Sequence, residues 1–412
     1  MGLWDKVKGV FGARPDEAAQ FLRMARRLAT RIPGVSVVEE NVAEMALVLE
    51  TPNGRQTFYA GNIFTETGAW PMEARSAHVE AFLLEILAPR PDVRTWTDVR
   101  ERLLPVVRGA SAFSSGARRM PTLTRPFQPF LLEAAVVDSA TGMEYVNEDA
   151  PPKWDVEPDQ IFIQARVNLA ALEADVRPLE GRWSSPAWRV AIDDAYDSSR
   201  ILLPGWLASF AGKVEGQPVA FLPDRNTLIV GGGGDAKLLR QLLEMAEERA
   251  KASPRSITTM AYTVDAAGAV VPLTLPPDHA VGEPLRRAAR LLAGAEYAHQ
   301  REHLEARHEQ EGRDIFVATF GALRAKDGRE WSYSTWAQDC DSLLPRTELV
   351  ALGSAGGAGS AAWSILLWWD DLQRIAGDCL APDPSCDPVR YRTVRWPDAA
   401  MLEALRAAEA TP

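Results

Sequence analysis

The sequence predicts an α+β, multi-domain protein built from small mixed or antiparallel sheets packed by helices. Three observations carry this. Apolar residues switch repeatedly between helical spacing, as in Leu238, Leu239, Leu242, Leu243 and Met245, and short strand-like runs such as 219–221 and 228–230. Proline-rich breaks at Ala88-Pro89-Arg90-Pro91 and Pro276-Pro277 divide the chain. Its 412 residues are enough for about two or three cores. The expected division is an amphipathic segment over 1–14, a small α+β domain over 15–90, a core domain over 91–283, and a long helix with a tryptophan-rich α+β domain over 284–412.

Residues 1–14 place Leu3, Trp4, Val7, Val10 and Phe11 along one side of a helix, with Lys6 and Lys8 beside it. Such a segment is a candidate for docking in a partner's groove or for weak contact with a membrane surface, and Leu3, Trp4, Val7 and Phe11 would make that contact. Ala18, Phe21, Leu22, Ala25 and Leu28 then predict a helix, followed by a strand over 35–38, a hairpin across Pro52-Asn53-Gly54 and a helix over 78–87. The lone His78 reads as a structural or surface residue.

In the core domain, 130–137 reads as strand and 161–170 as helix. After Asp197-Ser198-Ser199, which can supply an N-cap, Ile201, Leu202, Leu207 and Phe210 predict another helix. A hairpin about Pro223-Asp224-Arg225-Asn226, the run Gly231 to Gly234, a helix over 237–249 and a second hairpin about Asp265 to Gly268 follow. The last domain opens with a helix over 284–311, whose second half is heavily charged, and ends with a helix over 398–408. Six of the thirteen tryptophans, Trp331, Trp336, Trp363, Trp368, Trp369 and Trp396, lie in it and read as an aromatic core or an exposed binding face.

The string Tyr196-Asp197-Ser198-Ser199-Arg200-Ile201-Leu202, with Lys213-Val214-Glu215-Gly216 and the two strands that follow, resembles the central block of the YtpQ-like family of uncharacterised bacterial proteins. Leu104-Pro105-Val106-Val107-Arg108 and Gln164-Ala165-Arg166-Val167-Asn168-Leu169 resemble its earlier blocks, so the likeness covers roughly residues 100–275. Asp197, Ser199 and Arg200 are taken as the family-like motif. The resemblance implies no reaction, cofactor or catalytic residue.

A net charge of −11 argues against a general nucleic-acid binder, and Arg118-Arg119 with Arg125 is a thin basic patch. The three cysteines, with no secretory signal, suit reduced thiols in a cytoplasm, and no apolar run approaches the ~20 residues that cross a bilayer. Cys379 and Cys386 are too widely spaced for a zinc knuckle.

The sharpest motif is His299-Gln300-Arg301-Glu302-His303, an H-x-x-E-H pattern of the kind found in inverzincin metallopeptidases. On a helix, His299 and His303 would share a zinc ion and Glu302 would activate water. The two histidines continue the stripe of Leu285, Ala288, Leu292 and Ala295, which predicts that they face inward, but no third ligand is evident. Asp193, Asp194 and Asp197 spell D-D-x-x-D, a magnesium motif of all-helical prenyl synthases, and read here as a helix cap paired with Arg200. The glycine run lacks both the P-loop ending and the spaced Rossmann glycines, and Asp235 would repel phosphate. The expectation is therefore a non-catalytic protein-interaction or scaffold protein that needs no cofactor. The alternative is a zinc-dependent hydrolase centred on His299, Glu302 and His303.

Overall fold

Helix α1, Pro15–Ala29, turns Phe21, Leu22, Ala25 and Leu28 onto a three-stranded antiparallel sheet of β1 (Ser36–Asn41), β2 (Ala46–Thr51) and β3 (Gly54–Tyr59). Alternate strand residues Leu47 and Leu49 meet them, as the two-residue repeat of a half-buried strand requires. Helices α2 (Gly61–Glu66) and α3 (Met72–Leu87) complete this core with Ile63, Phe64, Val79 and Leu83. These coordinates are a computed structural model that describes residues 15–411 apart from 43–44, 53, 88–94, 116–117, 120, 140–141, 193–194, 254, 277, 326–327 and 357–360. The expected segment with Leu3, Trp4, Val7 and Phe11 lies outside the described residues, as do Asp193 and Asp194.

The chain separates into two compact units, the first of which is residues 1–95 with two short excursions, 139–142 and 252–255. Unit 2 holds the rest. The division expected at 283/284 falls in the first turn of a long helix inside unit 2. The fold is α+β, and its sheets are small and antiparallel or mixed.

The first sheet of unit 2 contains β4 (Leu103–Gly109), β5 (Thr124–Gln128) and β6 (Leu131–Ser139), ordered β4-β6-β5, and α4 (Pro158–Ala171) packs on them. Glu133 of β6 is buried, yet it accepts hydrogen bonds from Arg125 of β5 (2.7 Å) and Arg166 of α4 (2.8 Å), so its charge is compensated where it lies. The next sheet joins β7 (Val176–Pro178), β8 (Trp188–Val190), β9 (Pro218–Phe221), β10 (Ile229–Gly232), β11 (Ala261–Val264) and β12 (Val270–Pro272) in the order β7-β8-β10-β9-β11-β12. The expected hairpin is present, with Phe221 opposite Ile229. Both its faces are covered. Val219 and Phe221 face α5 (Ala236–Ala252), while Ala220 and Leu222 face Ile201, Leu202, Leu207 and Phe210.

Those last four residues do not lie on the α-helix that their spacing predicts. They sit in two 3-10 turns, Ser198–Leu202 and Leu207–Phe210. Pro204 drives Leu203 into extended backbone (φ −75°, ψ 125°) and Gly205 takes a positive φ of 74°, which together end the first turn. The N-cap expected at Asp197 is also absent, because its side chain makes no capping bond.

The glycine run is explained by close approach. A Cβ at Gly232 would lie 2.3 Å from the Glu215 carbonyl oxygen. The amides of Gly233 and Gly234 donate to Gln217 and Glu215, so they are committed to the turn and not to an anion. Asp235 caps α5, accepting from the amides of Lys237 (2.8 Å) and Leu238 (3.0 Å) and from the Ser184 and Ser185 hydroxyls.

Helix α6, Gly282–Glu311, leads to two small mixed sheets. The stretch 315–323 divides between them. Strand β13 (Phe316–Val317) joins β16 (Ser342–Pro345), β20 (Arg390–Thr393) and β19 (Leu380–Asp383), while β14 (Gly321–Arg324) joins β15 (Glu330–Ala337), β17 (Leu349–Ser354) and β18 (Trp363–Trp368). Helices α7 (Trp369–Ala376) and α8 (Ala399–Ala407) close the core over Trp336, Val350 and Leu367. The tryptophans mostly pack on one another. Trp336 meets Trp396 edge-on at 5.4 Å, and Trp331 meets Trp368 at 5.0 Å.

Hydrogen bonds from the Ser184 hydroxyl and the α5 amides hold the Asp235 carboxyl down to about 2. Its folded value lies below its unfolded one, so the stabilisation is complete above the unfolded carboxyl range and fades as pH falls towards 2. Asp235→Ala is expected to lower unfolding stability by about 1 kcal/mol at neutral pH and by progressively less in acid. Urea titrations at both pH values check this.

Candidate functional site

On α6, residues 296, 299, 300 and 303 recur at three- and four-residue steps and share one face. They form one wall of a polar cleft of about 410 Å³, whose other walls are the turn Ala110–Phe113, strand β5 and the loop 384–388. The expected inward stripe is corrected here. Ala295 is exposed and His299 and His303 are half-buried, whereas Glu296, Tyr297, Gln300 and Leu304 are buried. The buried face is turned by about one residue, because the polar residues that occupy it are paired. Glu296 accepts from the Ser111 amide (2.9 Å) and hydroxyl (3.1 Å), and Gln300 donates to the Pro388 carbonyl (2.6 Å) and accepts from Arg390 (2.6 Å).

His299 and His303 therefore both line the cleft, but Glu302 is exposed and lies outside its lining. The carboxyl that shares their face is Glu296. Burial pushes it above the ordinary carboxyl range, against the opposing pull of the Ser111 bonds and nearby His299. Among the described residues no group of three or more His, Cys, Asp or Glu is arranged to hold a metal ion. Cys379 and Cys386 are buried free thiols whose burial raises their pKa, which disfavours the thiolate that binds metal.

Asp197, Ser199 and Arg200 come together away from the cleft, each no more than 1% exposed. Arg200 pairs with Asp197 at 3.5 Å and donates to the Glu173 carbonyl, and the Ser199 hydroxyl accepts from the Val107 amide of β4. This cluster fastens the 3-10 segment to β4 and offers no surface to a ligand. Asp197 does not act as part of an open acidic motif.

Beside the cleft, and sharing Asp387 and Pro388 with it, runs a larger groove of about 950 Å³. Its walls are aromatic: Phe130, Tyr297, Phe320, Trp368 and Tyr391. Tyr297 stacks on Phe320 at 5.5 Å and receives the edge of Phe130 at 6.0 Å. Its hydroxyl donates to the Val389 carbonyl at 2.8 Å, and burial pushes its pKa up to about 12. At the rim, Arg290 bridges Glu283 and Glu348, and Glu348 accepts from the Ser332 amide (2.7 Å) and hydroxyl (2.9 Å). The walls are braced, while Phe130, Phe320, Trp368 and Tyr391 are half-buried and Val389 is 43% exposed. Sequence reasoning missed this groove. Its rings come from separate stretches of the chain, so no local pattern marks it; for the neighbouring cleft the available signal was Glu296 and Gln300 standing in line with the apolar positions of α6, which marks a helix face bonded to something polar.

Because the folded chain holds the Glu296 proton more tightly than the unfolded chain, stability falls as pH rises from the unfolded carboxyl value to the raised folded one. Glu296→Gln is expected to flatten that slope. Ser111→Ala, which removes one bond to a charged group, is expected to cost about 1.5–3 kcal/mol. Unfolding curves across that pH range check both. Compared with protein-family models, with curated proteins and with solved structures, the chain matches none.

Proposed function

We propose that the protein is a non-catalytic binding protein that holds an extended segment of another protein in the aromatic groove of unit 2. The observation that carries this reading is a braced groove of about 950 Å³ with half-buried rings along its walls and charges of both signs, Arg286, Arg346, Asp370 and Asp371, around it. Rigid aromatic walls gain contact area at little entropic cost, and a mixed-charge rim suits a polar backbone on either side of a bulky anchor. The partner segment is read as one with an aromatic or branched apolar anchor flanked by polar residues. The likeness of residues 100–275 to the YtpQ-like family belongs to the same proposal and supplies no reaction of its own. A cytoplasmic setting is part of it too, supported by three free thiols. Among the described residues no helix is long and apolar enough to cross a membrane.

A second reading, zinc-dependent hydrolysis in the polar cleft, is favoured by His299 and His303 lining that cleft together. The two readings make opposite forecasts for chelator-free protein. Hydrolysis requires stoichiometric zinc that His299→Ala loses, and binding requires none.

Selection from a displayed random-peptide library is expected to enrich sequences with a bulky apolar anchor. Phe320→Ala and Trp368→Ala should each weaken the enriched peptides by about tenfold or more. Enriched peptides that bind both variants as tightly as the parent protein would remove the groove from the account.

A further inference from the structure

Unit 1 carries a concavity of a different character, about 620 Å³ in volume, between one face of α1 and the start of α3. Its charged lining consists of Arg23, Arg26, Arg27 and Arg75 against a single acid, Glu17. In a chain of net charge −11, so local an excess of guanidinium is notable. The spacing of Arg23 and Arg27, four residues apart, puts both on the same side of α1. Arg26 is paired with Glu40 at 3.4 Å. Among the described residues, Arg23, Arg27 and Arg75 have no acidic side chain within ion-pair distance.

Arg75 is held in place. Its Nε donates to the Thr67 hydroxyl and one Nη2 hydrogen to the Phe64 carbonyl, each at 3.0 Å. Its guanidinium lies over the rings of Phe21 (4.5 Å) and Phe64 (4.9 Å). Burial lowers its pKa from the ordinary arginine value, against the opposing pull of Glu17. Among the described residues no bond engages Nη1, whose donors belong to the planar fork that matches an oxyanion.

The rim of this concavity is apolar. Met72 on its lining is 66% exposed, and Trp70, between lining residues Gly68 and Met72 in the chain, is 42% exposed and braced edge-on by His78 at 5.2 Å. Large apolar side chains held in solvent beside unopposed arginines are the combination that the boundary layer of an anionic bilayer favours. Tryptophan prefers headgroup depth, and arginine takes the phosphate. The segment 1–14, with its apolar Leu3, Trp4, Val7 and Phe11 and basic Lys6 and Lys8, runs directly into the helix that bears three of the arginines.

We infer that unit 1 docks on an anionic lipid surface, with Arg23, Arg27 and Arg75 receiving a headgroup phosphate while Trp70 and Met72 enter the interfacial layer. The attraction is local and screened over about 8–10 Å, so it acts at contact despite the acidity of the whole chain.

The test is flotation of the full chain with vesicles of phosphatidylcholine, and with vesicles in which a third of that lipid is replaced by phosphatidylglycerol. Binding is expected to the second alone and to fall with added salt. The paired substitution Arg23→Ala with Arg27→Ala should weaken it about tenfold or more. Trp70→Ala with Met72→Ser should weaken it as well, and circular dichroism should show all variants folded. Equal binding to both vesicles, or undiminished binding by the arginine variant, would overturn the inference. So would titration with inorganic phosphate that reveals an Arg75-dependent site in a protein that binds neither vesicle, because the phosphate would then come from a soluble ligand.

Discussion

The second half of unit 2 depends on a buried guanidinium that, among the described residues, bonds to amide and carbonyl oxygens and to no carboxylate. Arg390 is fully buried, and its hydrogen bonds reach the Gln300 amide oxygen (2.6 Å) and the carbonyls of Ala318 (2.8 Å), Leu343 (3.1 Å) and Tyr297 (3.0 Å). It also lies over the Tyr297 ring at 5.2 Å. Burial pulls its pKa down to about 10, which still leaves it charged at neutral pH. Such a charge is tolerable only while its nitrogens stay bonded to these acceptors, which ties the positions of its partners to one another. Those partners belong to α6 and, in the sheet that carries Arg390 itself, to β16 and the segment after β13, so the guanidinium ties the helix to that sheet.

The cleft and the aromatic groove inherit their shape from this hub. Gln300 and Pro388 stand on the cleft wall, and Tyr297 forms the centre of the aromatic groove. Tyr297 is bonded through its carbonyl to Arg390 and through its hydroxyl to Val389, so the ring has little freedom to close over the groove. A surface pair nearby, Arg392 with Asp341 at 2.7 Å, has no comparable reach because both side chains are largely solvated. Unit 1 stands on a separate core and a separate surface chemistry. Its Arg23 and Arg27 are exposed side chains of α1, whereas Arg390 is buried among carbonyls.

Much of this architecture is legible in the sequence, because it rests on local signals. The hairpin at Phe221 and Ile229, the helix over 236–252 and the long helix over 282–311 each follow from periodicity bounded by glycine or proline. The predicted helix after Asp197 failed because Pro204 acts on the residue before it, and helical spacing of the apolar residues is equally served by two 3-10 turns. The site was less legible. His299 and His303 were found, but the motif pattern could not tell that Glu302 faces solvent, since that depends on which side of α6 the Ser111 and Arg390 bonds turn inward. Arg390 itself carries no local signal. Its partners lie between 47 and 93 residues away.

The central claim, that one buried arginine fixes the wall common to the cleft and the groove, is tested most directly by amide hydrogen exchange on Arg390→Met. The account predicts faster exchange through residues 296–304 of α6 and in β16, with unit 1 unchanged. Exchange in the α6 segment as slow as in the parent protein would contradict it.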